Sequence, residues 1–217
     1  MSLSKVIEIA LGELGKTEFP KGSNLTEYGE RYGLNGVPWC VQFLWDCFNR
    51  AGERMAFFGG GKTASCSMLL RWYKEQGLTV PMEDVQKGDI VLLNFNGKNT
   101  PDHCGLVELV LPGGWVVGIR TIEGNTSTSD GSQSNGGCVA LKTRYPAQIV
   151  AVCRPQYKEE EPVSDYEGRW SEKAIKEALH DGVLNGYPDG SFQPTKQVTR
   201  EELAQFYLNL KERGLLQ

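Results

Sequence analysis

The sequence predicts an α+β protein in which helices come first and an antiparallel sheet follows. Residues 6–76 place apolar side chains at spacings of three and four, the period of a helix with one buried face. Residues 89–154 instead contain short runs rich in β-branched residues, separated by turn-forming residues, as strands do. The length of 217 residues, 40% of them hydrophobic, is sufficient for two domains.

Three helices are predicted in the first part of the chain. The first ends at Gly15 and the second at Gly52, because glycine readily adopts the conformation that terminates a helix. The second begins near Pro38, since proline suits the first turn of a helix. A third covers about residues 63–76. Their buried faces are predicted to be Val6, Ile7, Ala10, Leu11 and Leu14; Val41, Leu44, Trp45 and Phe48; and Met68, Leu69, Trp72 and Tyr73.

Short strands follow these helices along the chain. They are predicted at 89–95, 105–111, 115–123, 138–142 and 149–154, with turns such as Pro112-Gly113-Gly114 between them. Strands that follow one another without intervening helices pair antiparallel. We therefore expect N-terminal helices packed on an antiparallel sheet.

The distribution of charge indicates where the first domain ends. Residues 1–155 carry 15 basic and 15 acidic side chains, whereas residues 156–217 carry 8 and 12 and account for the net charge of −4. Residues 156–162 are polar and acidic and end at Pro162, which is typical of an exposed linker. We predict domains at 1–155 and 165–217 with a linker at 156–164. The second domain is short for an independent core.

Charge and cysteine content argue against several classes of protein. The pI near 5.4 disfavours a nucleic-acid binder that neutralises phosphates. Apolar runs fall short of the ~20 residues that a membrane span needs. Glu8 and Glu13 interrupt the region that a signal peptide keeps uncharged, so a cytoplasmic protein is expected. Its six cysteines are then expected to be thiols rather than disulfides.

Cys40 is the leading candidate for a nucleophile. It lies in the first turn of the second predicted helix, in the run Pro38-Trp39-Cys40. Unpaired N–H groups and the helix dipole favour the thiolate at such a position. A buried cysteine is more often a small hydrophobic residue, and Cys47 and Cys153 are assigned to that class.

A base for this nucleophile is found at His103, the first segment's single histidine, where a loop enters a strand. Glu123 and Asn125 lie two residues apart on the next strand, so both side chains face one side of the sheet and can reach the ring. A cysteine, a histidine and a polar group that orients the histidine are the parts of a thiol acyl-transfer site.

Two other cysteines compete with Cys40 for this role. Cys66 also lies in the first turn of a predicted helix and ranks second. Cys104 adjoins His103, but neighbouring strand residues point to opposite faces, so Cys104 is expected to face away from the ring.

Neither a metal site nor a phosphate loop is expected. The cysteines include no close Cys-x-x-Cys pair, which argues against zinc. The glycine-rich run at 59–63 fails the phosphate-loop pattern, because Ala56 stands where glycine is required. No cofactor is implied.

The order of these motifs resembles the CHAP family over about residues 3–155: Pro-Trp-Cys at a helix start, His103 entering a strand, then Glu123-Gly124-Asn125, with Gly88-Asp89-Ile90-Val91 opening the first core strand. The resemblance implies a papain-like fold and cysteine-dependent amidase or peptidase activity on peptidoglycan. By this likeness Cys40 is the nucleophile, His103 the base and Glu123 its orienting acid, with Asn125 as further polar support.

The same resemblance bears on substrate and metal. Asn24, Tyr28 and Trp39 are implied substrate contacts, because the region before the cysteine borders the cleft in similar bacterial and phage proteins. Some phage members bind calcium through acidic residues just before the cysteine, whereas this chain has Arg31 and Asn35 there. No calcium site is therefore expected.

The second segment is predicted to be helical and resembles an S-layer homology (SLH) module. One helix carries Ala174, Ile175, Ala178 and Leu179; the last begins at Thr199 with Glu202 in a capping box and carries Leu203, Phe206, Tyr207 and Leu210. The resemblance rests on Trp170, Asp-Gly-Val-Leu-Asn-Gly-Tyr at 181–187, Pro-Asp-Gly-Ser-Phe-Gln-Pro at 188–194 and Val-Thr-Arg-Glu-Glu at 198–202.

Such modules bind secondary cell-wall polysaccharides that are often anionic. By this likeness Arg200 pairs with a carboxylate and Trp170 stacks on a sugar. Modules of this kind usually occur in threes, so with one per chain either binding is weak or three chains associate as a homotrimer.

The two resemblances together imply a peptidoglycan hydrolase similar to phage endolysins, held in the cytoplasm until lysis and then acting at the wall. The expected bond is the N-acetylmuramoyl-L-alanine amide. Two alternatives stay open: an endopeptidase with the same mechanism, and a non-catalytic wall-anchored protein whose first domain is a scaffold. Peptidoglycan and wall polysaccharide are the expected partners, and nucleic acid and membranes are not.

Overall fold

A computed structural model describes residues 3–98, 100–111, 118–128, 131–158, 164–187 and 191–215. The chain divides into two compact units, Met1–Glu159 and Glu160–Gln217. The predicted linker at 156–164 spans this division, and its residues 159–163 lie outside the described part of the chain.

Five α-helices are described in the first unit: α1 (Leu3–Gly12), α2 (Glu27–Tyr32), α3 (Cys40–Arg50), α4 (Arg54–Phe58) and α5 (Cys66–Glu75). Helices α1, α3 and α5 confirm the three predicted from periodicity. Three residues of the predicted buried faces are exposed: Leu11 and Leu14 are 36% and 38% exposed, and Met68 on α5 is 58% exposed, while its neighbour Leu69 is buried.

Helix α3 forms the centre of the core. All of its residues from Cys40 to Phe48 are buried, and they pack with α1, α5 and one face of the sheet in a single apolar cluster. Gly124 on the sheet permits this close approach, because a Cβ there would lie 2.5 Å from the Cβ of Phe43. The helix bearing Cys40 therefore lies directly against the strands.

The described residues form one six-stranded antiparallel sheet in the order β1-β6-β2-β3-β4-β5. Its strands are β1 (Thr79–Val80), β2 (Ile90–Leu93), β3 (His103–Val110), β4 (Ile119–Thr126), β5 (Cys138–Arg144) and β6 (Ile149–Cys153). The predicted strands correspond to β2–β6. Residues 112–117, which include the predicted turn and the start of the third predicted strand, lie outside the described residues.

The two faces of the sheet have different neighbours. Leu92, Cys104 and Leu106 belong to the cluster formed with the helices. Leu93 and Val107 belong to a second, smaller cluster on the other face. This alternation places His103 and Cys104 on opposite faces of β3, as the period of a strand requires.

The second unit contains α6 (Glu172–His180) and α7 (Arg200–Glu212). The predicted capping box is confirmed: the Thr199 side chain accepts from the Glu202 N–H, and the Glu202 carboxylate accepts from the Thr199 N–H. The predicted apolar face of α7 is largely exposed, since Leu203 and Tyr207 are 56% and 60% exposed. Residues 188–190 of the predicted connector lie outside the described residues.

The protein is thus α+β, with N-terminal helices packed on an antiparallel sheet and a small helical unit after it. Within the described ranges, every helix is too short or too polar to cross a bilayer.

Candidate active site

Cys40 is the first residue of α3 and is 4% exposed. Trp39 precedes it at the helix cap and makes no side-chain capping hydrogen bond. The N–H groups of a first helical turn have no intrahelical acceptor, and the helix dipole adds partial positive charge there. The thiol therefore lies where negative charge is stabilised.

His103 begins β3 and is completely buried. Its Nε2 lies 3.0 Å from Oε2 of Glu123. Its Nδ1 is buried, and the ring also interacts with the Cys40 thiol. The histidine thus interacts with both Cys40 and a carboxylate.

The pKa values of the two residues move in opposite directions. Hydrogen bonds from the Cys104 and Cys66 thiols lower the pKa of Cys40 well below its usual value, against the effect of burial, and His103 lowers it further. Burial would lower the pKa of His103, but hydrogen bonds with Cys40 and Glu123 raise it to about 9. Both shifts favour a thiolate beside an imidazolium at neutral pH.

Glu123 is held from behind by Arg144. The Arg144 Nε donates to Oε1 over 2.7 Å and its Nη2 donates to Oε2 over 2.5 Å, and both side chains are buried. The Thr121 hydroxyl donates to Oε1 over 2.6 Å. Burial would raise the pKa of Glu123, but hydrogen bonds from Arg144 and His103 lower it to about 2. The carboxylate is therefore anionic at neutral pH.

Close packing fixes this chain of groups in position. Gly105 lies beside Glu123, and a Cβ on Gly105 would come within 2.8 Å of the Glu123 Cγ. On the other side, the Arg144 guanidinium lies 4.7 Å from the centroid of the Phe95 ring, which also contacts His103. Gly105 is therefore required by the space that Glu123 occupies.

Sequence reasoning missed Arg144. Arg144 is the last residue of β5, where a charged strand end is ordinarily exposed. The one available signal is indirect: a buried carboxylate needs a cation, and β5 was expected to pair with the strand that carries Glu123.

Asn125 has partners other than the histidine. Its Nδ2 donates to Oδ1 of Asn135 over 3.0 Å, and its Oδ1 accepts from the Gly137 N–H over 3.2 Å. Its φ of 58° places it in a left-handed conformation. Asn125 therefore joins the end of β4 to the start of β5, and Arg144 is the residue that supports Glu123.

The three residues implied as substrate contacts are mostly enclosed. Tyr28 is buried, and its hydroxyl donates to Glu13 over 2.9 Å. Its ring stacks on Trp39, which is also buried, at 5.3 Å between centroids. Asn24 is half-buried, with its side-chain oxygen unpaired. Tyr28 and Trp39 thus support the helix that carries Cys40 from within the core.

The competing cysteines are part of the site. The Cys66 Sγ lies 3.8 Å from the Cys40 Sγ, and the sulfurs of Cys40, Cys66 and Cys104 all lie within 4.8 Å of one another. Cys104 faces away from His103 along β3, as expected. Cys104 nevertheless lies beside the site. Helix α3 packs on the face of the sheet to which Cys104 points, and it carries Cys40 there.

A surface cavity of about 590 Å³ is lined by Pro38, two residues before Cys40, and by Ser65, which adjoins Cys66. Tyr32, Lys62 and Met68 also line it.

The two residues expected to bind wall polymer lie in the second unit. Trp170 is 97% exposed, and Arg200 is exposed at the start of α7. Both side chains are accessible to a large ligand.

Two family models match the chain. The CHAP domain matches residues 32–125, which include Cys40, His103 and Glu123. The S-layer homology domain matches residues 163–204, which include Trp170 and Arg200. No curated protein sequence matches the chain. A solved structure, the wild type endolysin LysIME-EF1, is similar with a TM-score of 0.48 and 17% sequence identity, over 76% of this chain and 68% of that chain. The polypeptide therefore carries a CHAP domain followed by an S-layer homology domain.

Proposed function

We propose that the protein is a cysteine-dependent peptidoglycan hydrolase that cleaves the N-acetylmuramoyl-L-alanine amide. The observation that carries this proposal is the continuous series Cys40, His103, Glu123 and Arg144, in which each group contacts the next. The CHAP match supports a hydrolase acting on peptidoglycan, and the series supplies the chemistry that such a reaction needs.

In the first step the Cys40 thiolate attacks the amide carbonyl and forms a tetrahedral oxyanion. Unpaired N–H groups in the first turn of α3 lie where they can donate to that oxygen. His103, protonated at rest, then donates its proton to the departing amine. The C–N bond breaks, and a thioester remains on Cys40.

Water completes the reaction. Neutral His103 takes a proton from a water molecule, and the hydroxide attacks the thioester. Breakdown of the second tetrahedral intermediate restores the Cys40 thiolate and an imidazolium at His103. Glu123 keeps the ring oriented and stabilises its charge in both steps, while Arg144 prevents the buried carboxylate from taking the proton itself.

The SLH domain supports a binding role for the second unit, directed at secondary cell-wall polysaccharide. Trp170 offers an exposed aromatic face to a sugar, and Arg200 offers a guanidinium to an anionic substituent. We propose that three chains associate to combine their single modules, which light scattering would detect as a trimer. The protein would be held in the cytoplasm and act at the wall after lysis.

Digestion of purified Gram-positive cell walls tests the activity. Wild type should clear the suspension and Cys40→Ala should not, because no other group takes the thiolate's place. Cys47→Ala is the matched control: Cys47 is buried on the same helix, and burial raises the pKa of its thiol well above the usual value. The control should clear walls like wild type.

Mass spectrometry of the released ends identifies the bond. New L-alanine amino termini are expected for the proposed amidase, whereas other new amines would mark an endopeptidase and refute the proposed bond. Failure of both wild type and Cys47→Ala to clear any wall would refute the enzyme and favour a non-catalytic, wall-anchored protein.

A further inference from the structure

Cys40, Cys66 and Cys104 form a cluster that the proposed hydrolysis does not explain. The three thiols come from the starts of α3 and α5 and from β3, and they converge in the core. Hydrolysis needs one nucleophile, and one neighbouring thiol would suffice as a hydrogen-bond donor. Two further buried thiols beside a reactive thiolate need another account.

The sulfur positions match the geometry of a bound metal ion. Zn²⁺ binds thiolates at about 2.3 Å in a tetrahedron, which separates two sulfurs by about 3.8 Å. The distance between the Cys40 and Cys66 sulfurs is 3.8 Å, and all three sulfurs lie within 4.8 Å of one another. A displacement of at most about 1 Å would bring the third sulfur to the same separation.

We propose that Cys40, Cys66 and Cys104 form a binding site for a soft divalent cation, Zn²⁺, whose occupancy blocks the nucleophile. Three thiolates supply three of the four positions of a tetrahedral zinc site. The expectation that no zinc site is present considered only ligands that are close in sequence, whereas these three cysteines lie 26 or more residues apart.

Binding involves no change of oxidation state. Three Zn–S bonds form, and the thiols of Cys66 and Cys104 release their protons to solvent. Cys40 is then bound by the metal and unable to attack a carbonyl. Removal of the metal by a chelator restores the free thiolate.

Cobalt absorption tests the site without any substrate. Reduced protein, freed of reductant under argon, is titrated with Co²⁺, and Zn²⁺ is then added as competitor. A tetrahedral thiolate site gives sulfur-to-cobalt charge-transfer and intense d–d bands at one equivalent, and Zn²⁺ should abolish them. A wild-type protein without these bands would overturn the proposal whether or not any variant folds.

Variants then identify the ligands. Cys66→Ala and Cys104→Ala should each weaken Zn²⁺ binding by at least about 100-fold, the upper end of what loss of a residue merely supporting a ligand costs. Cys153→Ala removes a buried cysteine outside the cluster and should bind Zn²⁺ like wild type. Equal affinity in all of these proteins, each checked for folding by circular dichroism, would contradict the assignment.

The blocking effect rests on the proposed hydrolysis, and the metal site does not. Wild-type wall clearance should stop with one equivalent of Zn²⁺ and return with a chelator. Cobalt bands without wall clearance under any condition would refute the hydrolase and leave the site standing. Clearance that Zn²⁺ leaves unchanged, in a protein without cobalt bands, would refute the site alone.

Discussion

Replacement of Arg144 by methionine would test the support that Glu123 and Arg144 give to His103, the proposed catalytic histidine. Methionine keeps the length and apolar stem of arginine but removes both hydrogen bonds to the buried Glu123 carboxylate. His103 at 3.0 Å and the Thr121 hydroxyl at 2.6 Å then remain as partners of that carboxylate. A buried charge would be left without its strongest counter-ion.

The size of the effect follows from the pKa of Glu123. Hydrogen bonds from Arg144 and His103 overcome the effect of burial and lower this pKa from 4.5 to about 2. At about 1.4 kcal/mol per pKa unit, the ionised state contributes about 3 kcal/mol of folding stability. Breaking a buried ion pair from one side costs about 3–5 kcal/mol. Arg144→Met should therefore lower the free energy of unfolding at pH 7 by about 3 kcal/mol.

The change also has a predicted dependence on pH. Because the folded-state pKa of Glu123 is depressed, its stabilisation is complete above about 4.5 and is lost as the pH falls through about 2. Without Arg144 the pKa of Glu123 rises, so stability and activity should fall at a higher pH than in wild type. The rate of wall clearance at pH 7 should drop at least about tenfold, which corresponds to about 1.4 kcal/mol in the transition state.

Urea denaturation and wall clearance across pH measure these effects. Arg120→Met is the matched control, since Arg120 pairs with Glu108 on the adjacent strand and its side chain is 42% exposed. Its loss of stability should be far smaller. The reasoning fails if the two variants lose the same stability, or if Arg144→Met keeps the wild-type rate and acid limb.

Three further predictions concern other parts of the molecule. The kcat/KM of wall cleavage should fall as the pH rises through about 9, because hydrogen bonds to His103 outweigh burial and raise its pKa to that value. The contribution of these hydrogen bonds to stability is complete below pH 6.5 and is lost as the pH rises through about 9. A fall in kcat/KM centred near pH 6.5 would contradict the pairing of His103 with Cys40 and Glu123. Tyr28→Phe should cost about 1–3 kcal/mol of stability in urea, since it removes a buried hydrogen bond to Glu13, with KM unchanged; a raised KM at full stability would make Tyr28 a substrate contact. Trp170→Ala should reduce co-sedimentation with walls and leave the unfolding midpoint unchanged, whereas Tyr207→Ala, also exposed, should sediment like wild type; equal loss in both variants would remove the special role of Trp170.

Long periodic segments made much of the fold predictable. Helices α1, α3 and α5 carry apolar residues at spacings of three and four, and the strands β2–β6 lie between clear turn residues, so both periods could be recognised in the sequence. Helices α2 and α4 have six and five residues, too few to show a period. Helix α2 also carries Gly29 and is fixed by its cap: the Thr26 side chain accepts from the Gly29 N–H.

The candidate site was predictable where chemistry is local and unpredictable where it depends on packing. Cys40 at the start of a helix and His103 at the start of a strand can each be recognised from the residues next to them in the sequence. Arg144 and the thiol cluster depend on which layer covers which face of the sheet. Strand alternation correctly placed Cys104 opposite His103, but the sequence pattern did not indicate that α3 lies on that face and carries Cys40 there.

The series from Cys40 to Arg144 has a consequence for the conditions under which the protein works. Its charges alternate in sign: thiolate, imidazolium, carboxylate, guanidinium, and they sum to zero. Because they are enclosed, dissolved ions screen them poorly, so the chemical step should proceed at nearly the same rate in dilute buffer and in concentrated salt. The exposed Arg200 has no such protection. High ionic strength should therefore weaken the binding of the chain to an anionic wall polymer and leave the rate of the chemical step nearly unchanged.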